Sequence, residues 1–154
     1  NGKEVSRWYY FNADSTMATG WVYDSKHGNW YYMNTNEGAE LGQMITGWVQ
    51  DPNTKKWYYM NENTGILTTG WLLNKQDNRW YYLDSSTGAM ATGWIKLGNE
   101  YYYLNKDAVA QTWFFDSNTK KWQFKDGNSK PFGAMYQNER TPDGYNVDQR
   151  GVWY

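Results

Sequence analysis

Short aromatic segments alternate along this chain with polar segments rich in turn-forming residues. One aromatic position follows a Gly or a Thr and recurs at Trp21, Trp48, Trp71, Trp94 and Trp113. A second aromatic segment, of the pattern Trp/Tyr-Tyr-Tyr or a variant of it, begins at Trp30, Trp57, Trp80, Tyr101 and Trp122. The two positions lie nine residues apart in four pairs and seven residues apart in one pair. This spacing indicates that each pair is one structural repeat.

The polar stretch inside each repeat predicts a chain reversal. Residues 24–29, for example, read DSKHGN, and Asn, Asp and Gly are typical of turns. The flanking segments, such as residues 21–23 and 30–33, combine aromatic and β-branched residues in short runs, as β strands do. Each repeat therefore predicts a β-hairpin.

Single hairpins are marginally stable in water, so these hairpins are expected to bury their apolar faces against one another. The sequence predicts an all-β fold, a solenoid of about six stacked β-hairpins that forms a single module over residues 1–154. Its repeats start near Trp21, Trp48, Trp71, Trp94 and Trp113, with an N-terminal half repeat around Trp8 and a degenerate terminal hairpin from Tyr136. Because side chains alternate along a strand, Trp30 and Tyr32 share one face and Tyr31 takes the other.

Composition narrows the classes of function. Trp, Tyr and Phe total 31 of 154 residues, whereas Leu, Ile and Val total only 16, so aromatic rings dominate the apolar surface. The formal net charge is −1, which gives no positive field for nucleic acid. No apolar run approaches the roughly 18 residues of a membrane-spanning helix. The first residues lack the composition of a secretory leader. The absence of Cys excludes disulfides and Cys-based metal sites.

Catalytic chemistry has little support in the sequence. His27 is the only histidine and lies beside Gly28 in a predicted turn. Acidic residues are scattered through predicted loops without a recurring pair, and no turn matches a calcium-binding loop. We therefore expect a protein that is not an enzyme and that uses no metal ion or cofactor.

The repeat is most complete between Trp71 and Trp94. Residues 80–84 read WYYLD, and residues 88–94 read GAMATGW. This pattern resembles the choline-binding repeat of Gram-positive surface proteins, and the resemblance covers nearly the whole chain. It implies a left-handed superhelix of hairpins. Ligand sites then lie between consecutive hairpins, each with two anchor Trp of one hairpin and an aromatic ring of the next.

Residue by residue, the resemblance implies five choline sites, whose closing Tyr we select by strand alternation. The five sets are Trp21 and Trp30 with Tyr59; Trp48 and Trp57 with Tyr82; Trp71 and Trp80 with Tyr103; Trp94 and Tyr101 with Trp122 or Phe124; and Trp113 and Trp122 with Tyr145. Met44, Met60 and Met90 are candidate apolar walls, with simple packing as the alternative.

The chemistry of these sets suits a quaternary ammonium ion, which has no N–H to donate and favours aromatic faces, Trp above all. We expect a secreted, non-catalytic attachment module of the bacterial cell surface that binds phosphocholine on teichoic or lipoteichoic acid. The alternatives are a glucan-binding repeat module and a structural adhesion rod. The altered C-terminal segment suits a cap, and since some relatives pair through terminal hairpins, a homodimer is a further expectation.

Overall fold

The computed structural model describes residues 7–106 and 133–154 in full, together with the backbone of residues 113–116 and 121–124. Within these ranges the chain forms β strands and no helix, so none that could cross a membrane. The strands are β1 (Gly20–Asp24), β2 (Asn29–Met33), β3 (Gly47–Gln50), β4 (Trp57–Met60), β5 (Gly70–Asn74), β6 (Arg79–Leu83), β7 (Gly93–Leu97), β8 (Glu100–Leu104), β9 (Trp113–Asp116), β10 (Lys121–Phe124), β11 (Glu139–Arg140) and β12 (Asn146–Val147).

Neighbouring strands pair in sequence order, β1 with β2 through to β11 with β12, and each pair is a separate two-stranded sheet. In the first hairpin Trp21 lies opposite Tyr32, and Tyr23 lies opposite Trp30. In the second, Trp48 lies opposite Tyr59. The prediction of an all-β chain of hairpins is confirmed, while the number of repeats and the handedness of the superhelix stay predictions.

The chain divides into two compact units. The first comprises Asn1–Gly70 and Leu83–Met90, and the second comprises Trp71–Tyr82 and Ala91–Tyr154. Tyr and Met fill much of the interior where an ordinary core has Leu and Ile. In the first unit the buried cluster is Tyr32, Val49, Tyr58, Met60 and Ala89. In the second it is Tyr103, Tyr136 and Val147. The single module predicted over residues 1–154 stays a prediction.

The linkers between hairpins use one recurring turn. After β4, Asn61 accepts a backbone hydrogen bond from Gly65 and donates one to Ile66, each at 2.8 Å. After the third hairpin, Asp84 makes the same two bonds with Gly88 and Ala89. Gly88 has φ +73°, and a β-carbon there would lie 2.6 Å from a methyl carbon of Leu67, so the turn requires glycine for both conformation and space.

Each linker then makes a further backbone hydrogen bond to an earlier aromatic segment of its own unit. The residue that follows the turn donates its backbone N–H to the carbonyl of the first aromatic residue in an earlier aromatic segment, over 2.7–3.0 Å. The donor and acceptor pairs are Met44 with Trp8, Leu67 with Trp30, Met90 with Trp57, Met135 with Trp80, and Trp153 with Tyr101. Successive hairpins are thus held in a fixed register within each unit.

The linker after β8 closes in the same way but over a much longer excursion. Asn105 donates to Ala134 at 2.8 Å and accepts from Gly133 at 2.7 Å, and Leu104 forms a bridge with Met135. After the third hairpin, the two bonds of the turn enclose residues 85–88. After β8, the same two bonds enclose residues 106–133. The hairpin β9–β10 therefore lies within an insertion, whereas the repeat spacing placed it in the main series.

Candidate ligand-binding site

Three aromatic rings meet at right angles in the first unit. The ring centroids of Trp21 and Trp30 are 6.3 Å apart with planes inclined at 84°. Tyr58, from β4, lies 4.7 Å from Trp21 at 74°. Trp30 is 44% exposed, while Tyr58 is buried. The corner that these rings form presents aromatic faces on more than one side.

These rings line a cavity of about 520 Å³, which is within the range of small-molecule sites. The apolar part of its wall includes Ile66 and Leu67, and the polar part includes Asn29 and the hydroxyl residues 85–87. The cavity therefore combines aromatic faces with uncharged polar groups, and no cationic side chain lines it.

A carboxylate fixes the orientation of Trp21. The indole Nε1 donates to Asp51 Oδ2 at 2.9 Å. Asp51 is 6% exposed and also accepts the backbone N–H groups of Asn53 and Thr54. The hydrogen bond from Trp21 is the main cause that lowers the pKa of Asp51, so this side chain stays ionised at neutral pH. A charge-assisted hydrogen bond of this kind holds the ring firmly.

The second unit repeats the three-ring corner. Trp71 and Trp80 are 6.4 Å apart at 89°, and Tyr102 of β8 lies 5.0 Å from Trp71 at 66°. Trp80 is 36% exposed. Tyr103, which alternation placed in this set, is 2% exposed and packs against Trp94 at 5.2 Å. The Tyr that contacts Trp71 from the next hairpin is therefore Tyr102.

The same correction applies to the first set, where Tyr58 and not Tyr59 contacts Trp21. Tyr59 packs against Trp48 of its own hairpin at 5.1 Å and donates to Glu62 at 2.9 Å. Alternation divides each hairpin into two faces as predicted. However, the Trp face of one hairpin contacts the opposite face of the next, so the middle Tyr of Trp-Tyr-Tyr closes the corner.

The set predicted from Trp48, Trp57 and Tyr82 stays a prediction, since Tyr82 belongs to the second unit. Within the first unit, Met90 donates its backbone N–H to the carbonyl of Trp57 at 2.8 Å. Leu67 makes the corresponding bond to Trp30 and lines the cavity there. This equivalence supports Met90 as an apolar wall. Met60, by contrast, is fully buried and Met44 packs beside Val22, so both serve in packing.

Trp94 and Tyr101 have partners from the C-terminal segment. Tyr145 lies 5.8 Å from Trp94, Trp153 lies 5.9 Å from Tyr145, and Tyr101 lies 6.1 Å from Trp153, all near 86°. Asp143 accepts the Trp94 indole N–H at 2.8 Å, as Asp51 does for Trp21. We call the four rings the terminal aromatic set. The closure predicted from Trp122 or Phe124 falls on side chains outside the described residues, and the linker after β8 brings residues 133–154 against this hairpin.

Sequence reasoning missed Trp153, Met135 and the place of Tyr145. A signal was available, because residues 133–135 read GAM, as residues 88–90 do at the end of the preceding linker. That motif marks the end of a linker turn. The remaining predicted set uses Trp113 and Trp122, whose side chains lie outside the described residues.

The only histidine has a local partner. His27 Nδ1 lies 2.6 Å from Asp24 Oδ2 in the exposed turn between β1 and β2, and this hydrogen bond lowers the pKa of Asp24. Among the described residues, no group of three or more His, Cys, Asp or Glu side chains could hold a metal ion.

Two families of repeat match the sequence. The choline-binding repeat matches residues 3–41, and the putative cell wall binding repeat matches residues 46–63, 69–90 and 92–107. No curated protein matches the chain significantly.

Solved structures with the same fold include choline-binding proteins. Choline binding protein F from Streptococcus pneumoniae is 37% identical, with 97% of this chain and 44% of that chain covered and a TM-score of 0.55. CbpF in a complex with ipratropium is 36% identical, with 98% of this chain and 43% of that chain covered and a TM-score of 0.56. CbpJ from Streptococcus pneumoniae is 33% identical, with 95% of this chain and 61% of that chain covered and a TM-score of 0.50. This chain thus spans less than half of the CbpF chain.

Proposed function

This chain belongs to the choline-binding repeat family, and on that premise we propose that its aromatic corners bind choline head groups of the bacterial cell wall. The ligand is the phosphocholine of teichoic or lipoteichoic acid, and binding attaches a secreted protein to the cell surface. The role is non-catalytic attachment.

The observation that carries this proposal is the corner of three rings, found at Trp21, Trp30 and Tyr58 and again at Trp71, Trp80 and Tyr102. A trimethylammonium group spreads its charge over its methyl groups and can contact several ring faces at once. Each such contact contributes about 0.5–2 kcal/mol. After the costs of binding, one site should have a Kd in the roughly millimolar to high-micromolar range.

Ring geometry also distinguishes a cation from a sugar. Stacking on a sugar uses a flat, exposed ring surface, whereas Trp21 and Trp30 meet at 84° and Trp71 and Trp80 at 89°. Perpendicular rings enclose a compact rounded group better than they support a flat one. CbpF, a relative with the same fold, was solved in complex with ipratropium, which is a quaternary ammonium compound. Both observations favour choline over the glucan alternative.

The test is a titration with choline, followed by calorimetry and by Trp fluorescence. The native chain should bind several equivalents, and Trp30→Ala should lose about one equivalent because it removes a half-exposed face of the first corner. Phe11→Ala is the matched control, since Phe11 is 62% exposed and does not line the cavity. Absence of a saturable response to choline would contradict the proposal. Release of the protein from a choline-coated matrix by dextran but not by choline would also contradict it.

A further inference from the structure

We propose that the terminal aromatic set discriminates between choline derivatives: it prefers choline that carries a phosphate over free choline, and Lys96 is the residue that contacts the phosphate. This inference rests on the proposed function. It concerns one set only, and the two three-ring corners should not share the preference.

Lys96 places a positive charge directly on this set. It lies opposite Tyr101 in the β7–β8 register, and its Nζ is 5.1 Å from the centroid of the Tyr101 ring. Three other hairpins have uncharged residues at the same position, two residues after the first Trp: Tyr23, Gln50 and Leu73. Among the four hairpins β1–β8, only this one therefore carries a basic residue at this position.

A negative charge lies at the other end of the set. Ring contacts run from Trp94 through Tyr145 and Trp153 to Tyr101. Asp143 binds the indole N–H of Trp94, and Lys96 covers Tyr101. The set thus has an anion at its first ring, where Lys106 is close enough to help lower the pKa of Asp143, and a cation over its last ring.

The neighbouring ionic groups compensate one another. Arg150 contacts Glu100 at 3.3 Å and Asp148 at 3.2 Å. Glu100 also accepts the hydroxyl of Tyr102 at 2.6 Å. The carboxylates in this ion-pair group are therefore already engaged. Lys96, whose contact is with the face of Tyr101, remains able to receive an anion.

The preference follows from the signs of these charges. A free quaternary ammonium bound among the four rings meets Lys96 as a like charge, which weakens binding. Phosphocholine brings its own anion a few bonds from the ammonium group. The ammonium can then lie toward Trp94 and Asp143 while the phosphate contacts Lys96, so both ends of the ligand meet an opposite charge.

The experiment follows the indole N–H signals of the full chain by NMR during separate titrations with choline and with phosphocholine. At Trp153, phosphocholine should bind roughly threefold to tenfold more tightly than choline. At Trp30 the two ligands should bind about equally. Lys96→Met should raise the affinity for choline measured at the Trp153 signal and bring the ratio of the choline Kd to the phosphocholine Kd close to one. Lys96→Arg should keep the preference for phosphocholine.

Leu73→Lys provides a matched gain of function. Leu73 is 40% exposed, so the lysine should be tolerated, and the Trp80 signal should then acquire a preference for phosphocholine. If the ratio of the choline Kd to the phosphocholine Kd at Trp153 does not change in Lys96→Met, the inference is overturned. If both ligands shift Trp30 and Trp80 but Trp153 shows no preference, the inference fails and the proposed function stands. If neither ligand shifts any indole signal, the proposed function itself fails.

Discussion

At the scale of single residues, the anchor Trp side chains differ in what holds them. Trp21 donates to Asp51 and Trp94 donates to Asp143, although the sequence separations are 30 and 49 residues. Asp51 lies three residues after the first Trp of the next hairpin, and Leu97 occupies that position for Trp71. A carboxylate that holds the indole in place preorganises the site and so reduces the entropy lost on binding.

Asp51→Asn should weaken both the fold and the first site. A hydrogen bond to a charged group contributes about 1.5–3 kcal/mol, and the amide keeps only one oxygen for three donors. We expect a lower Tm and a several-fold higher Kd for choline at the Trp30 indole signal. Thermal melts and NMR titration measure the two effects, and an unchanged Trp30 titration would show that Asp51 does not position the ring.

The native chain should also show a lower Tm and weaker choline binding at the first corner when Asp51 becomes protonated at low pH. Because the pKa of Asp51 is lowered in the fold, its contribution to stability is complete above the usual Asp pKa of about 3.9 and is lost as the pH falls through the lower folded value. Asp14→Asn is the control. Asp14 also has a lowered pKa, caused mainly by Thr16, but it lies in an exposed turn away from the rings. At the Trp30 indole signal, only Asp51→Asn should abolish the loss of choline affinity on acidification.

At the scale of elements, the linker turn recurs within each unit, and the number of residues that it spans varies widely. It closes over residues 85–88 after the third hairpin, over residues 35–42 after the first, and over residues 106–133 after β8. The entropy of closing a loop grows only slowly with its length, at about 0.6 kcal/mol for each doubling. A long insertion at this joint therefore leaves the turn intact.

Replacing residues 106–132 with Ser-Ser-Thr should preserve the fold of the second unit. The new turn would read Asn105-Ser-Ser-Thr-Gly133-Ala134, which matches residues 84–89 in form. The shorter loop should leave stability unchanged or raise it by up to about 2 kcal/mol. Denaturant unfolding and the Trp153 indole signal report the result. Loss of cooperative unfolding would mean that β9–β10 is an essential part of the unit.

At the scale of the whole molecule, the proposed function has several weak sites on one chain acting together on a polymer that carries many choline groups. Later contacts become intramolecular, which can raise avidity about 100-fold to 10,000-fold over a single site. The net charge of −1 and the aromatic lining of the corners indicate that binding does not depend on counterion release.

The double variant Trp30→Ala, Trp80→Ala should separate affinity from avidity. Its remaining sites should titrate with free choline as before, while its residence time on a choline-coated surface should fall by at least tenfold. Retention of the native chain should change little between about 0.15 M and 0.5 M salt, because screening acts mainly on exposed ion pairs. Surface plasmon resonance measures both. Strong salt dependence would indicate ionic attachment instead.

The sequence by itself determined the hairpins and their faces. The nine-residue spacing and the Asn, Asp and Gly turns are local signals, and alternation along a strand follows from backbone geometry, so Trp21 and Trp30 share a face without reference to any neighbour. The sequence also supplied the abundance of aromatic rings on which the proposed cation sites depend.

Tertiary structure decided which rings meet. Tyr58 rather than Tyr59 closes the first corner because the linker bond from Leu67 to Trp30 docks the Trp face of one hairpin against the opposite face of the next. Tyr145 contacts Trp94 because Asn105 pairs with Ala134 across the insertion. Both outcomes depend on backbone hydrogen bonds between residues far apart in the chain. The spacing of residues within one repeat does not predict such bonds.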